Sequence, residues 1–122
     1  GQALLKAARG DTAQAITELA AVARTLPPTA GRAELLGLAG RWARGLADDR
    51  AEPILLEALS SDPSGPAAPA AELELAALYE ASGRPREALD RVEHLILTHP
   101  ESAVVPQARR LLDRLRGTVP RT

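Results

Sequence analysis

The sequence predicts an all-α fold built from consecutive pairs of short helices, and three observations lead to this prediction. Ala, Leu, Glu and Arg dominate the chain, and its β-branched residues never alternate with polar residues over the length of a strand. Apolar residues instead recur at intervals of three and four, the spacing of one helix face. Finally, apolar, small, aromatic and proline residues recur at matched intervals along the chain, which is typical of repeated helix pairs.

Length and composition narrow the possible classes of protein. A chain of 122 residues is long enough for one domain with one core. Its net charge of −1 provides no overall field that would gather nucleic acid or anionic lipid. No apolar run approaches the roughly 20 residues that a membrane-spanning helix needs, so we expect no membrane insertion of this segment. The absence of methionine and the start at Gly1 indicate a processed or excised piece of a longer product.

The first predicted helix runs from Asp11 to Leu26. Asp11 fits an N-cap whose capping-box partner is Gln14, and the prolines at 27 and 28 end the helix because proline cannot continue it. One face of this helix is apolar and comprises Ala13, Ile16, Leu19, Ala20, Ala23 and Leu26.

Five more helices follow, at about 32–45, 49–60, 68–81, 85–98 and 102–116. The break at 61–66, with the sequence SDPSGP, is the expected flexible point. Gly83 suits a left-handed C-cap and Pro85 suits the first helical position. We expect Ser102 to cap the last helix and Pro106 to lie in its first turn.

Two segments carry similar residues at identical intervals. The second comprises Leu75-Ala76, Tyr79, Ala88, Val92 and Pro100, and the first comprises Leu38-Ala39, Trp42, Ala51, Leu55 and Pro63. This pattern resembles that of the tetratricopeptide repeat (TPR) family, which recurs within about 34 residues. The chain departs from the family by placing Ala39 and Ala76 where glycine is usual, and Leu35 and Glu72 where tryptophan is usual.

The resemblance implies a right-handed α-α superhelix, a TPR-like solenoid of about three helix pairs. Residues 1–122 would form one domain, with a partial repeat at 1–29, repeats at 32–65 and 69–102, and a capping helix at 103–117. The first helix of the partial repeat would be truncated at Gly1, and Gly10 aligns with Gly83. Small residues would let paired helices approach, while Trp42 and Tyr79 fill the space beside them as packing residues.

A search for reactive groups predicts no catalytic set, no cofactor and no metal ion. His94 and His99 are five positions apart, unlike the four-residue spacing of zinc-binding helices, and cysteine is absent. The acidic residues around Asp48 are better explained by helix capping than by a calcium loop. The two aromatic residues and the lack of a repeating basic stripe argue against a nucleic-acid partner. We therefore expect that the chain is not an enzyme.

The remaining candidate site is the inner surface of the solenoid, where TPR proteins usually hold a peptide or helix. Helical spacing places seven residues on this partner groove: Leu36, Arg44, Leu73, Ala77, Glu80, Gln107 and Arg114. A second interpretation stays open, in which Leu36 and Leu73 are covered by a neighbouring helix or by a second copy of the chain. The Lys and Asn residues with which one TPR subclass clamps a C-terminal carboxylate have no counterpart here.

The function predicted from these features is a protein-interaction scaffold that binds a protein or peptide partner. The alternative is a structural or self-association module of a larger enzyme or regulator, which would include a homo-oligomer. The sequence HPESAVVPQARRLL at 99–112 follows a helix pair, and with it the stretch from Ala70 to Leu115 resembles bacterial cell-envelope members of the TPR family. These members include outer-membrane assembly lipoproteins and periplasmic cell-division coordinators. That similarity favours the periplasm or the outer-membrane periphery over the cytoplasm, without fixing the compartment.

Overall fold

The computed structural model describes residues 2–119, with side chains from Arg9 onward, and within them the fold is all-α. It contains no strand in that part of the chain, which confirms the predicted class. The helices are α1 (Gln2–Arg24), α2 (Ala30–Gly45), α3 (Ala51–Ser61), α4 (Ala68–Ala81), α5 (Pro85–Thr98) and α6 (Val105–Thr118). The chain divides into two compact units, Gly1–Ala68 and Pro69–Thr122, which are described separately below.

Helix α1 is longer than the sequence predicted, and the N-cap assigned to Asp11 is wrong. The helix continues without interruption through Gly10 and Asp11. One glycine inside a helix costs only about 1 kcal/mol, and the Ala- and Leu-rich residues before it favour helix. Gln14 accordingly donates to Glu18 one turn later, at 3.2 Å, instead of closing a capping box. The predicted stop is confirmed, because α1 ends before Pro27.

In the first unit, α2 packs against both α1 and α3. The contact with α3 is close, since a Cβ added to Gly40 would lie 2.5 Å from Leu55 Cδ2. Ala39 and Ala51 are fully buried, so the predicted packing of small residues at these two positions is confirmed, and Leu55 is fully buried as well. Small side chains on α2 therefore set the distance at which α3 packs.

Two clusters of polar side chains link the helices of this unit. Arg24 of α1 donates from Nη2 and Nε to the carboxylate of Glu57 in α3, at 2.9 and 3.0 Å. Arg32 of α2 donates to the same carboxylate at 3.3 Å. The guanidinium of Arg24, with a smaller contribution from Arg32, holds the pKa of Glu57 below its usual value. One carboxylate thus joins three helices.

Arg50, at the start of α3, forms the second cluster. Its side chain donates to the Thr17 hydroxyl at 2.7 Å and to the Ala13 carbonyl of α1 at 3.2 Å. Asp48 accepts two further hydrogen bonds from the same guanidinium, at 3.0 and 2.9 Å. Those hydrogen bonds lower the pKa of Asp48 and keep the carboxylate charged. Asp48 orients the arginine that connects α3 to α1.

Helices α2 and α4 end in the same type of turn. After α4, Gly83 has φ of 74°, and the Arg84 N–H donates to the Tyr79 carbonyl at 2.8 Å. This is a Schellman motif, and it confirms the predicted left-handed C-cap. After α2, the Asp48 N–H donates to the Ala43 carbonyl at 2.8 Å, and the left-handed residue is Ala47, with φ of 54°.

The second unit consists of α5, α6 and the part of α4 from Pro69 onward. Tyr79, Val92 and Leu95 lie in its core, and α5 packs against α6. Pro85 and Pro106 lie in the first turns of α5 and α6, as predicted. The predicted Ser102 cap lies too early, because α6 begins at Val105 and the Ser102 hydroxyl accepts the Val104 N–H within the preceding turn, at 3.3 Å.

Candidate functional site

The exposed face of α4 in the second unit carries three of the predicted groove residues. Leu73, Ala77 and Glu80 follow one another at intervals of four and three, so they lie on one side of the helix, and each is partly exposed. The adjoining side of α4 carries the buried residues Leu75, Ala76 and Tyr79. This helix therefore presents a short stripe of two apolar residues that ends in a carboxylate.

Helix α6 contributes the two remaining groove residues of this unit. Gln107 and Arg114 are both exposed and are seven positions apart, which places them on one face of α6. Leu111, which lies between them along the helix, is buried at 3% exposure and belongs to the core. The exposed groove residues of α6 are consequently polar.

Glu80 and Arg114 connect these two helix faces. The guanidinium donates from Nη2 to Oε1 at 3.0 Å and from Nε to Oε2 at 3.3 Å. The hydrogen bond and the charge of Glu80 raise the pKa of Arg114, which keeps the guanidinium charged. Arg114 remains 61% exposed, so the pair stays accessible to a partner that competes for either charge. We call the surface formed by Leu73, Ala77, Glu80, Gln107 and Arg114 the α4/α6 surface.

Leu36 is not a groove residue. Its side chain is fully buried in the first unit, which corrects the prediction from helical spacing. The reason is that α2 has neighbours on two sides, α1 and α3, and therefore buries a wider arc than a helix in a simple pair. Of the two interpretations of Leu36, coverage by a helix of the same chain is the one that the structure supports. Arg44, on the same helix, is partly exposed.

Trp42 was predicted to be a packing residue, and the structure differs here too. Tyr79 is 4% exposed and packs in the core as expected, but Trp42 is 38% exposed. Its indole lines an open cleft of about 430 Å³ together with Asp11, Thr12 and Ala15 of α1. Trp42 and Tyr79 therefore match in the sequence pattern, but Trp42 is much less buried than Tyr79.

The sequence did not predict that the acidic residue Glu72 is buried. The side chain of Glu72 is 2% exposed, and its Oε1 lies 2.6 Å from Nδ1 of His94 in α5. Its Oε2 is also buried and has no hydrogen-bond partner. The available signal was that Glu72 departs from the repeat pattern to which the sequence was compared, which usually has tryptophan at this position. Within the described residues, no group of three or more acidic, His or Cys side chains could hold a metal ion.

Comparisons with known proteins give no relative for this chain. No protein family, no curated protein and no solved structure shows a significant match to it. Over residues 2–119, none of the helices is long and apolar enough to cross a membrane.

Proposed function

We propose that this chain is a protein-interaction module that binds a segment of a protein partner on the α4/α6 surface. The observation that carries the proposal is the stripe of Leu73, Ala77 and Glu80 on α4 beside Arg114 of α6. Two partly exposed apolar side chains can bury the apolar face of a partner helix or extended segment, while the exposed charged pair offers directional contacts.

The proposal includes a TPR-like arrangement in a right-handed superhelix. It is supported by the matched intervals in the sequence and by the burial of the small residues Ala39, Ala51, Ala76 and Ala88. It is weakened at the N-terminus, where α1 runs through Gly10 without the turn that Gly83 makes. An experimental structure of the chain together with its neighbouring residues would test it, because the two helix pairs of a solenoid must be related by a constant rotation.

A comparative pull-down tests the binding surface. Wild-type protein and the variant Leu73→Asp are used as baits in extract of the source cells, and captured proteins are quantified by mass spectrometry. Val22→Asp is the matched control, because Val22 is a 55% exposed apolar residue of α1. We expect a partner that Val22→Asp retains and Leu73→Asp loses.

A second variant keeps the test decisive if Leu73→Asp does not fold. Ala77→Arg adds a long charged side chain at a partly exposed position and keeps a good helix former. If both variants fold, as judged by circular dichroism, and still capture every partner at wild-type levels, the proposed surface is wrong. Turnover of a substrate by the purified chain would likewise overturn the proposal that it is a binding module.

Self-association is the alternative function, and the exposure of Leu97 favours it. A large apolar side chain with 82% of its surface exposed is a candidate contact with a second copy. Light scattering decides between the two: a strict monomer at high concentration contradicts self-association, and a dimer abolished by Leu97→Asp supports it.

A further inference from the structure

Trp42 and Tyr79 hold equivalent positions in the sequence but have different surroundings. The face of the Tyr79 ring is covered by the guanidinium of Arg84, whose Cζ lies 4.4 Å from the ring centroid. A cation over an aromatic face is attracted by the negative potential of the π system. The second unit thus provides its aromatic residue with a cation from its own chain.

Among the described residues, no cation lies over the ring of Trp42. The Trp42 side chain is 38% exposed, so its ring is accessible to a partner. Indole is the aromatic side chain that binds cations most strongly, so the exposed ring of Trp42 is suited to bind a cation of a partner.

The cleft beside Trp42 also supplies a negative charge. Asp11 and Thr12 form its polar part, and Ala15 and Trp42 form its apolar part. Arg9 and Arg41 are close to these residues in the sequence, but neither lines the cleft among the described residues. A cleft lined by a carboxylate, an indole and an apolar side chain matches a side chain that has an apolar stem and a cationic head.

We propose that the cleft formed by Asp11, Thr12, Ala15 and Trp42 binds an arginine side chain of a partner polypeptide. The methylene groups contact Ala15, while the guanidinium lies against the indole and donates to the carboxylate of Asp11. The site is separate from the α4/α6 surface and does not depend on that proposal.

Fluorescence provides a direct test, because Trp42 is the single tryptophan of the chain. The full chain at low ionic strength is titrated with the blocked peptide Ac-Gly-Gly-Arg-Gly-Gly-NH2. A second titration uses the peptide with citrulline, a neutral analogue of the same shape, in place of arginine. We expect a saturable change of Trp42 emission with the arginine peptide and an affinity about two- to fivefold lower with citrulline, the factor that a cation–π contact at an exposed site provides.

Two variants complete the experiment. Asp11→Asn should weaken binding of the arginine peptide by about 1.4- to 5-fold, the range that an exposed ion pair provides. Asp113→Asn is the matched control on α6 and should bind like the wild type. Equal affinity for the arginine and citrulline peptides, a non-saturating response, or equal loss in both variants would overturn the proposal. Equal binding of both peptides would instead indicate an apolar occupant of the cleft.

Discussion

Ala47 and Gly83 adopt the same left-handed backbone conformation at the ends of α2 and α4, with φ of 54° and 74°. Each follows its helix in a Schellman motif, but only one of the two residues is glycine. The left-handed region is strained for residues with a Cβ atom by roughly 1–2 kcal/mol. The first unit therefore retains a local strain that the second unit avoids.

This difference predicts opposite effects of two reciprocal substitutions. Ala47→Gly should raise the free energy of unfolding by about 1 kcal/mol, because Ala47 is exposed and loses no packing. Gly83→Ala should lower it by a similar amount. Chemical denaturation of both variants measures the effect. A destabilising Ala47→Gly would show that the backbone at this turn differs from the one described.

A second prediction concerns the close contact between α2 and α3. Gly40→Ala should destabilise the protein by about 1 kcal/mol net, because overpacking against the buried Leu55 costs more than the gain in helix propensity. Gly37→Ala on the same helix is the control, since no atom lies within 4 Å of the added Cβ. It should stabilise by about 0.5–1 kcal/mol. Thermal unfolding of the two variants should shift in opposite directions; equal shifts would contradict the close approach.

Acid should remove the stability that Glu57 provides. The pKa of this carboxyl is lowered in the folded protein from its ordinary value of 4.5. Its contribution is therefore present above about pH 4.5 and is lost as the pH falls through the lowered folded-state pKa. Glu57→Gln should lower the free energy of unfolding by about 1 kcal/mol at pH 7. The difference in stability between this variant and wild type should become smaller below pH 4.5.

Urea denaturation across this pH range measures the difference in free energy of unfolding between Glu57→Gln and wild type. Glu34→Gln makes the same charge change at an exposed position of α2 and should stay within about 0.5 kcal/mol of wild type at pH 7. If the difference in stability between Glu57→Gln and wild type grows toward low pH, the pKa of Glu57 is not lowered in the folded protein.

The contact between Glu72 and His94 predicts non-additive stability effects. His94→Ala should cost about 1–3 kcal/mol, because it leaves both oxygens of a buried carboxyl group without a partner. In a Glu72→Met background the same change should cost less than about 0.5 kcal/mol. Glu72→Met alone should be neutral or stabilising, because an apolar side chain of similar volume needs no hydrogen bond. A double-mutant cycle measures the coupling, and additive costs would contradict the contact.

Local features of the fold were predictable from the sequence. The turn at Gly83 and the start of α5 at Pro85 depend on backbone preferences of single residues, and those preferences are the same in any context. The extent of α1 was missed for a related reason. Gly10 and Asp11 are each typical of helix ends, but their combined cost is too small to interrupt a segment of strong helix formers.

Burial was harder to predict, because it depends on which surfaces meet. The pattern that assigned Leu36 to a groove describes one helix, and it cannot tell how many neighbours cover that helix. Trp42 shows the opposite error, since its match to Tyr79 predicted a core residue and the structure leaves it half exposed. The pairing of Glu72 with His94 joins residues of two helices, and no spacing rule within one helix reveals it.

Arg50 has a consequence for the order in which the first unit forms. Its hydrogen bond to the Ala13 carbonyl joins residues 37 positions apart, whereas every helix of the unit is held by contacts within one turn. Closing so long a segment costs entropy before the contact is made, so we expect α1 to dock onto α3 in a late step of folding. Interactions absent from the transition state control how fast a protein unfolds, and we therefore expect Arg50 to slow unfolding without accelerating folding.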